Sequence, residues 1–348
     1  MKIVAVTLRD VAEHAGVSKR TVSNVVNDFH YVSAEMRAKV QAALDELNYK
    51  PNLMARGLRQ GRTGIITLLL PQISVQYFGE LAHEVVERAS QLGCTVMIDE
   101  TGGEPERELA LLDVAARSGW VDGVLMSSQG LHGRALANLR TPIPVILLGE
   151  RTAKTALDHV GIDNVSAAHD AARHLLDSGA RRIAAIGGNS SVSDMTSRLR
   201  LKGYRAALHA AGLSVKDELY IGTAEYKRSD AAPAVRQLLG LADPPDALFC
   251  FSDELAVGAL RELHEQRIRV PDEMKVVGFD DIDETRFCTP SVTSIRPDRA
   301  AIANMALTML LDRVQGSVVK PRDVRVGYDL MVRESSAPAE PGRPRGDR

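Results

Sequence analysis

Three cysteines in 348 residues, at positions 94, 250 and 288, have neither the number nor the spacing of a disulfide framework or a zinc site. Their isolation predicts buried, inert thiols. Long apolar runs are also missing, and nothing approaches the roughly 18 residues of a membrane span. The N-terminus has one lysine and only a short apolar stretch before Arg9, which does not read as a secretion signal. A cytoplasmic protein with no membrane partner is expected. The glycine-rich phosphate loops, G-x-S-x-G and H-E-x-x-H are absent, and His83-Glu84 has no second histidine four residues after the first. The nine histidines are scattered, and Asp280, Asp281 and Asp283, neighbours without partner ligands, read as surface acids. No catalytic, metal or cofactor chemistry is indicated.

Charge is scarce in the sum, a formal −2, but not in its distribution. Through Arg62 there are ten Lys/Arg against six Asp/Glu, and beyond it 33 against 39. A basic head seeks phosphate while an acidic body does not.

That head has a readable pattern. Thr7 with Asp10 forms a capping pair, after which Leu8, Val11, Ala12 and Ala15 share one helical face. Gly16 breaks the helix and Ser18 caps a second, to about Val26. At about 100° per residue, Lys19, Arg20, Ser23, Asn24 and Asn27 fill one arc of it, and Thr21, Val22, Val25 and Val26 the other. Such a polar arc is either a solvated face or a surface for base edges in the major groove, with Arg or Lys suited to guanine and Asn to adenine. Ser33 caps a third helix whose Val40, Leu44 and Leu47 close a small core, and Pro51 is expected to end it. Leu53 to Arg59 could form a fourth helix, but Gly57 and the basic flank make it marginal alone.

The runs TLRDVAEHAGVSKRTVSNVVN, VSAEMRAKVQAALDELNYKPN and ARGLRQGRTG resemble the head of the lactose-repressor (LacI/GalR) family of bacterial transcription regulators, and the remainder follows that family's order of motifs. The resemblance implies a homodimer on a near-palindromic double-stranded DNA operator. The second helix would lie in the major groove and paired hinge helices in the central minor groove. By matching position, Lys19 and Arg20 are the main base readers and Leu58 the wedge between base pairs. Thr7, Ser18, Thr21, Ser23, Asn24, Asn27 and His30 complete the head's candidate DNA contacts, with Asn52 and Ala55 beside Leu58 in the hinge. The chain departs from the family at Asn24, where many members carry Arg.

Beyond Arg62, apolar strands alternate with amphipathic helices: strands over 64–70, 94–98, 121–126, 145–148, 183–186, 247–251 and 275–277, and helices near 78–91, 104–118, 165–178, 197–211, 229–240 and 253–266. This predicts an α/β body of doubly wound parallel sheets. The resemblance implies two such lobes, like periplasmic binding proteins, with three crossings of the chain between them. The expected division is 1–51 head, 52–62 hinge helix and linker, 63–334 two-lobed body and 335–348 disordered tail.

Ligands in open parallel sheets bind beyond the carboxyl ends of strands. The loops there offer Gln72, Tyr77, Phe78, Asp163, Ser252, Asp253 and Asp280, with Arg200 in an RLxGY-like segment. Tyr77 and Phe78 serve equally as core residues, and each acid as a helix cap. The resemblance implies effector contact for Asp163, Arg200 and Asp280, and stacking for Tyr226. The family often has Asp or Asn where Gln72 and Ser252 stand. A ligand-controlled repressor is expected, its effector a sugar, since an arginine fork and carboxylates suit vicinal hydroxyls. A purine or other small molecule is an alternative, and so is a transport-type solute-binding protein sharing the two-lobed body.

Overall fold

The computed structural model describes residues 6–26, 29, 31–49, 62–150, 155–188 and 195–337. Contacts divide the chain into two units, Met1–Thr63 and Gly64–Arg348.

The first unit holds α1 (Leu8–His14), α2 (Lys19–Val26) and α3 (Ala34–Glu46). Thr7 caps α1 in a capping box, its N–H donating to Asp10 Oδ2 at 2.7 Å while Thr7 Oγ1 accepts from the Asp10 N–H. Gly16 takes φ +61°, which turns the chain into α2, where Ser18 Oγ accepts from the Thr21 N–H at 3.0 Å. Val11, Val22 and Val40, one from each helix, are fully buried, and each contributes about 1.5–3 kcal/mol of burial. The stop of α3 comes earlier than proline would impose. Asn48 adopts φ +47°, letting the Tyr49 and Asn48 N–H groups reach back to the Leu44 and Asp45 carbonyls in a Schellman closure. The expected hinge helix lies outside the described residues.

The second unit is built on two six-stranded sheets. In the first lobe, β1 (Ile65–Leu70) lies between β2 (Thr95–Glu100) and β3 (Gly123–Ser127), followed by β4 (Val145–Leu148) and β5 (Asp158–Gly161). Helices α4 (Gln76–Gln91), α5 (Pro105–Ser118) and α6 (Gly133–Asn138) connect them. Alternate residues of the apolar strands serve opposite layers: Ile66, Leu68 and Leu70 pack under α4, while Leu69 packs under α5 and α6.

The second lobe repeats the scheme after α7 (Asn164–Asp177). Strand β6 (Ile183–Gly188) leads through α8 (Met195–Ala210) to β7 (Tyr220–Thr223), α9 (Arg228–Leu239), β8 (Ala247–Cys250), α10 (Asp253–Glu265), β9 (Lys275–Phe279) and β10 (Thr293–Pro297). The chain then returns to the first lobe as α11 (Arg299–Val314) and the edge strand β11 (Asp323–Arg325), before ending as β12 (Tyr328–Met331), antiparallel to β10.

Three crossings therefore join the lobes, after β5, β10 and β11. They are tied to one another: the Val326 N–H donates to Gly161 O at 2.9 Å, the Asp298 N–H to Gly327 O at 3.1 Å, and Arg325 pairs with Asp163 at 2.7 Å.

Three expectations need correction. The tail does not begin at 335, because Ser335 and Ser336 are fully buried, their hydroxyls bonded to Val276 O and Thr293 Oγ1, and the Ala337 N–H donates to Arg333 O; the rest of the expected tail, 338–348, lies outside the described residues. Of the cysteines only Cys250 is buried, Cys94 and Cys288 being half-exposed. Asp281 is no surface acid: it is fully buried and paired with Arg333 at 2.6 Å. Among the described residues no group of His, Cys, Asp and Glu could hold a metal ion, and no helix is long and apolar enough to cross a membrane.

Candidate DNA-reading head and effector cleft

The small core of the first unit decides which face of α2 is outward. Val22 and Val25 point inward, Lys19 and Arg20 are exposed, and Ser23 and Asn24 sit between. Thr21 is half-buried with its hydroxyl against Ser18 Oγ at 2.9 Å, and the Thr7 hydroxyl is engaged with Asp10. Of the expected DNA contacts, Thr7, Ser18 and Thr21 thus hold helix ends, while Lys19, Arg20, Ser23 and Asn24 share one outward arc. Asn27, His30, Asn52, Ala55 and Leu58 lie outside the described residues.

In the two-lobed unit the strand ends bring another set together, centred on Arg200. Its guanidinium lies 3.5 Å from the centroid of the Phe279 ring. Nε donates to Asn164 Oδ1 at 2.9 Å, Nη1 to the Phe251 carbonyl, and Nη2 stands 3.5 Å from Asp280 Oδ1. Asn164 donates in turn to Glu150 Oε1 at 3.3 Å, across to the first lobe. Glu150 follows β4, where Gly149 takes φ +96°.

Asp280 and Asp281 have φ of +111° and +48°, a conformation that costs a non-glycine residue about 1–3 kcal/mol and must be held by its surroundings. Arg299 is one holder. It donates to the Asp280 carbonyl at 2.5 Å and the Asp281 carbonyl at 3.3 Å, and pairs with Glu80 of α4 at 2.9 Å. Glu80 also accepts from the Asp283 N–H at 2.8 Å, so α4 grips the loop after β9 directly. Asp253 holds the loop from behind, accepting from the Ile282 N–H at 2.9 Å and Ser294 Oγ at 2.6 Å. Gly278 makes room for it, since a Cβ there would lie 2.1 Å from Asp253 Oδ1.

Burial pushes the Asp280 carboxyl up to about 7 against the pull of Arg200 and Arg299, with Glu150 adding to the rise. Burial, Asp280 and Glu150 together raise the Tyr77 phenol. Burial and the nearby Asp280 push the Asp253 carboxyl well above its ordinary value.

Several expected effector residues stand elsewhere. Asp163 caps α7 through the Val165 and Ser166 N–H groups with one oxygen and meets Arg325 with the other, so its carboxylate serves a crossing rather than the cleft. Ser252 caps α10, which leaves Asp253 as a fully buried brace and neither a cap nor a cleft contact. Tyr226 packs on the second lobe's core with its hydroxyl 2.5 Å from Ser197 Oγ, where stacking on a ligand was expected. Phe78 meets Tyr77 edge-on at 5.4 Å and both lean on the first lobe's core; Gln72 is exposed.

Sequence reasoning missed Glu80, Glu150, Asn164 and Arg299. Glu150 carries the same signal as the others, a carboxylate just past an apolar strand. Arg299 was hidden because the strand before it was not recognised, and Glu80 reads as an ordinary helix-surface acid. A hollow of about 420 Å³ opens beside Glu80, Asp281 and Arg299, lined also by His83, Glu84, Asp283 and Arg286.

Two family models match the chain. One, for bacterial regulatory proteins of the lacI family, covers residues 7–52, and one for a periplasmic binding protein-like domain covers 172–336. The HTH-type transcriptional repressor CytR of Escherichia coli is 32% identical over 333 residues, 95% of this chain and 96% of that protein. The chain belongs to the lacI family of bacterial regulatory proteins. The ribose operon repressor of E. coli is 31% identical, covering 95% of this chain and 99% of its own length. Among solved structures, the lac repressor dimer bound to operator and the anti-inducer ONPF has a TM-score of 0.84 at 27% identity, over 95% of this chain and 99% of that one. The CelR–cellobiose complex has a TM-score of 0.70 at 30% identity, over 95% and 99%. This lacI-family chain is thus a transcription regulator with an N-terminal DNA-binding domain and a body of two parallel-sheet lobes.

Proposed function

We propose that the protein is a homodimeric repressor that binds a near-palindromic operator through the outward arc of α2, with an affinity set by a small molecule held between the lobes of its body. It acts in the cytoplasm, without catalysis. The observation that carries the reading is the pair of side-chain systems fixed by the fold: Lys19 and Arg20 exposed on the helix after the turn, and Arg200, Asn164, Asp280 and Glu150 linked across the strand ends. Lys19 and Arg20 take the base-reading role, with Leu58 as the hinge wedge.

The effector is a sugar in this reading, because the carboxyl groups of Asp280 and Glu150 beside the half-buried ring of Tyr77 match hydroxyls on a ring with an apolar face. A purine is the second reading, favoured by the half-buried ring of Tyr77, a flat surface beside Asp280 and Glu150. Ligand closure would change how the paired bodies sit and hence whether residues 52–62 order on DNA. A hundredfold change in DNA affinity needs only about 2.7 kcal/mol of such coupling.

The test is operator selection from a random duplex pool with the full chain, followed by thermal-shift screening of sugars and nucleobases. A selected near-palindrome whose affinity responds to a stabilising compound supports the reading. Enrichment of no sequence contradicts it.

A further inference from the structure

Among the described residues, the two cations beside Asp280, Arg200 and Arg299, are already committed. Arg200 is divided among Asn164, the Phe251 carbonyl and Asp280, and Arg299 among Glu80 and two backbone carbonyls. The first turn of α7, a helix end suited to anions, is closed by the Asp163 carboxylate. Asn164, only 4% exposed, has one orientation open to it: Oδ1 must face the guanidinium and Nδ2 must face Glu150, since a flipped amide would set donor against donor and acceptor against acceptor. It therefore holds Glu150 in place from the opposite lobe. Among the described residues, the charged groups this cluster leaves for a ligand are carboxyls, Glu150 from one lobe and Asp280 from the other.

We propose that Glu150 is a specificity-determining residue of this cleft, which admits an uncharged or cationic, hydrogen-bond-donating effector and rejects phosphorylated or carboxylated ones, with Asn164 as its positioning residue. The proposal rests on the effector reading above. An amine, or a pair of hydroxyls, set against Glu150 and Asp280 gives both carboxyl groups a donor and offsets their repulsion, which already contributes to the raised Asp280 carboxyl. A phosphate instead brings further negative charge to a site that carries both of these acids, with Arg200 and Arg299 already engaged.

Matched pairs test this on the full chain by thermal shift and calorimetry: D-ribose and D-ribose 5-phosphate, D-glucose and D-glucose 6-phosphate, adenosine and adenosine 5′-monophosphate. The expected result is that each stabilising compound is the uncharged member, its phosphate binding at least about tenfold more weakly, and that Glu150→Gln narrows this gap severalfold for the same pair. A phosphate that binds the wild-type chain as tightly as its parent overturns the proposal, whatever the variant does. A gap unchanged in Glu150→Gln removes Glu150 from the role. Silence from every pair goes further and overturns the effector reading, and this inference with it.

Discussion

Replacing Arg200 by methionine removes the centre of the cleft while keeping the length and apolar stem of the side chain. The substitution strands the 14%-exposed Asp280 carboxylate and leaves Asn164 Oδ1 and the Phe251 carbonyl without their donor. Breaking a buried ion pair from one side costs about 3–5 kcal/mol, because the remaining charge loses its partner. Asp280 should bear most of this. Its carboxyl already stands near 7, and without Arg200 it rises further. A carboxyl raised in the folded state contributes its full stability below the unfolded value of 3.8 and loses it as pH climbs through the folded value. The deficit of Arg200→Met relative to wild type therefore grows from pH 5 to pH 8. Adding Asp280→Asn removes the stranded charge, and the double variant should recover about 1.5–3 kcal/mol at pH 8. Urea unfolding of the four proteins at the two pH values measures all of this. A deficit equal at both, or no recovery in the double variant, refutes the reasoning.

Other outcomes follow from the same kind of accounting. Asp158, 1% exposed on its side chain, receives Arg313 and Arg322 at 2.8 and 3.0 Å; burial works to raise its carboxyl, but these hydrogen bonds hold it below the usual range. Asp158→Asn should cost about 3–5 kcal/mol at pH 7 by urea unfolding, and less near pH 3, since stability from a depressed carboxyl is lost as pH falls. Asn48→Ala should lower head stability by about 1 kcal/mol because of its φ of +47°, whereas Asn48→Gly should not; differential scanning calorimetry of the full chain would separate the two. Glu80→Gln leaves Arg299 without its carboxylate, and faster amide exchange across residues 280–283 is the expected signature in mass spectrometry.

The parts of the fold governed by local pattern were legible in the sequence. Thr7, Gly16, Ser18 and Ser33 act on their immediate neighbours, and the strands from Ile65 to Phe279 are apolar enough to stand out. What escaped depends on distant partners. Strand β10 begins with Thr293 and Ser294, polar side chains made burial-compatible by the Arg333 carbonyl, Ser336 and Asp253, and α11 packs its apolar face on the other lobe. Asp163, Ser252 and Asp253 were visible as post-strand polar residues, but only the crossing through Arg325 and the approach at Gly278 assign them to bracing. Arg200 was found from the resemblance and Asp280 from its place after a strand, while Glu150, with the same post-strand signal, was overlooked until Asn164 pointed to it.

The central claim is that the exposed arc of α2 reads duplex DNA. Fluorescence anisotropy with the selected operator, comparing wild type with Lys19→Ala/Arg20→Ala from 50 to 200 mM salt, tests it most directly. Each base contact is worth about 1–3 kcal/mol, so the double variant should bind roughly thirtyfold or more weakly and lose its preference over random duplex. Unchanged affinity and preference in the double variant would contradict the account.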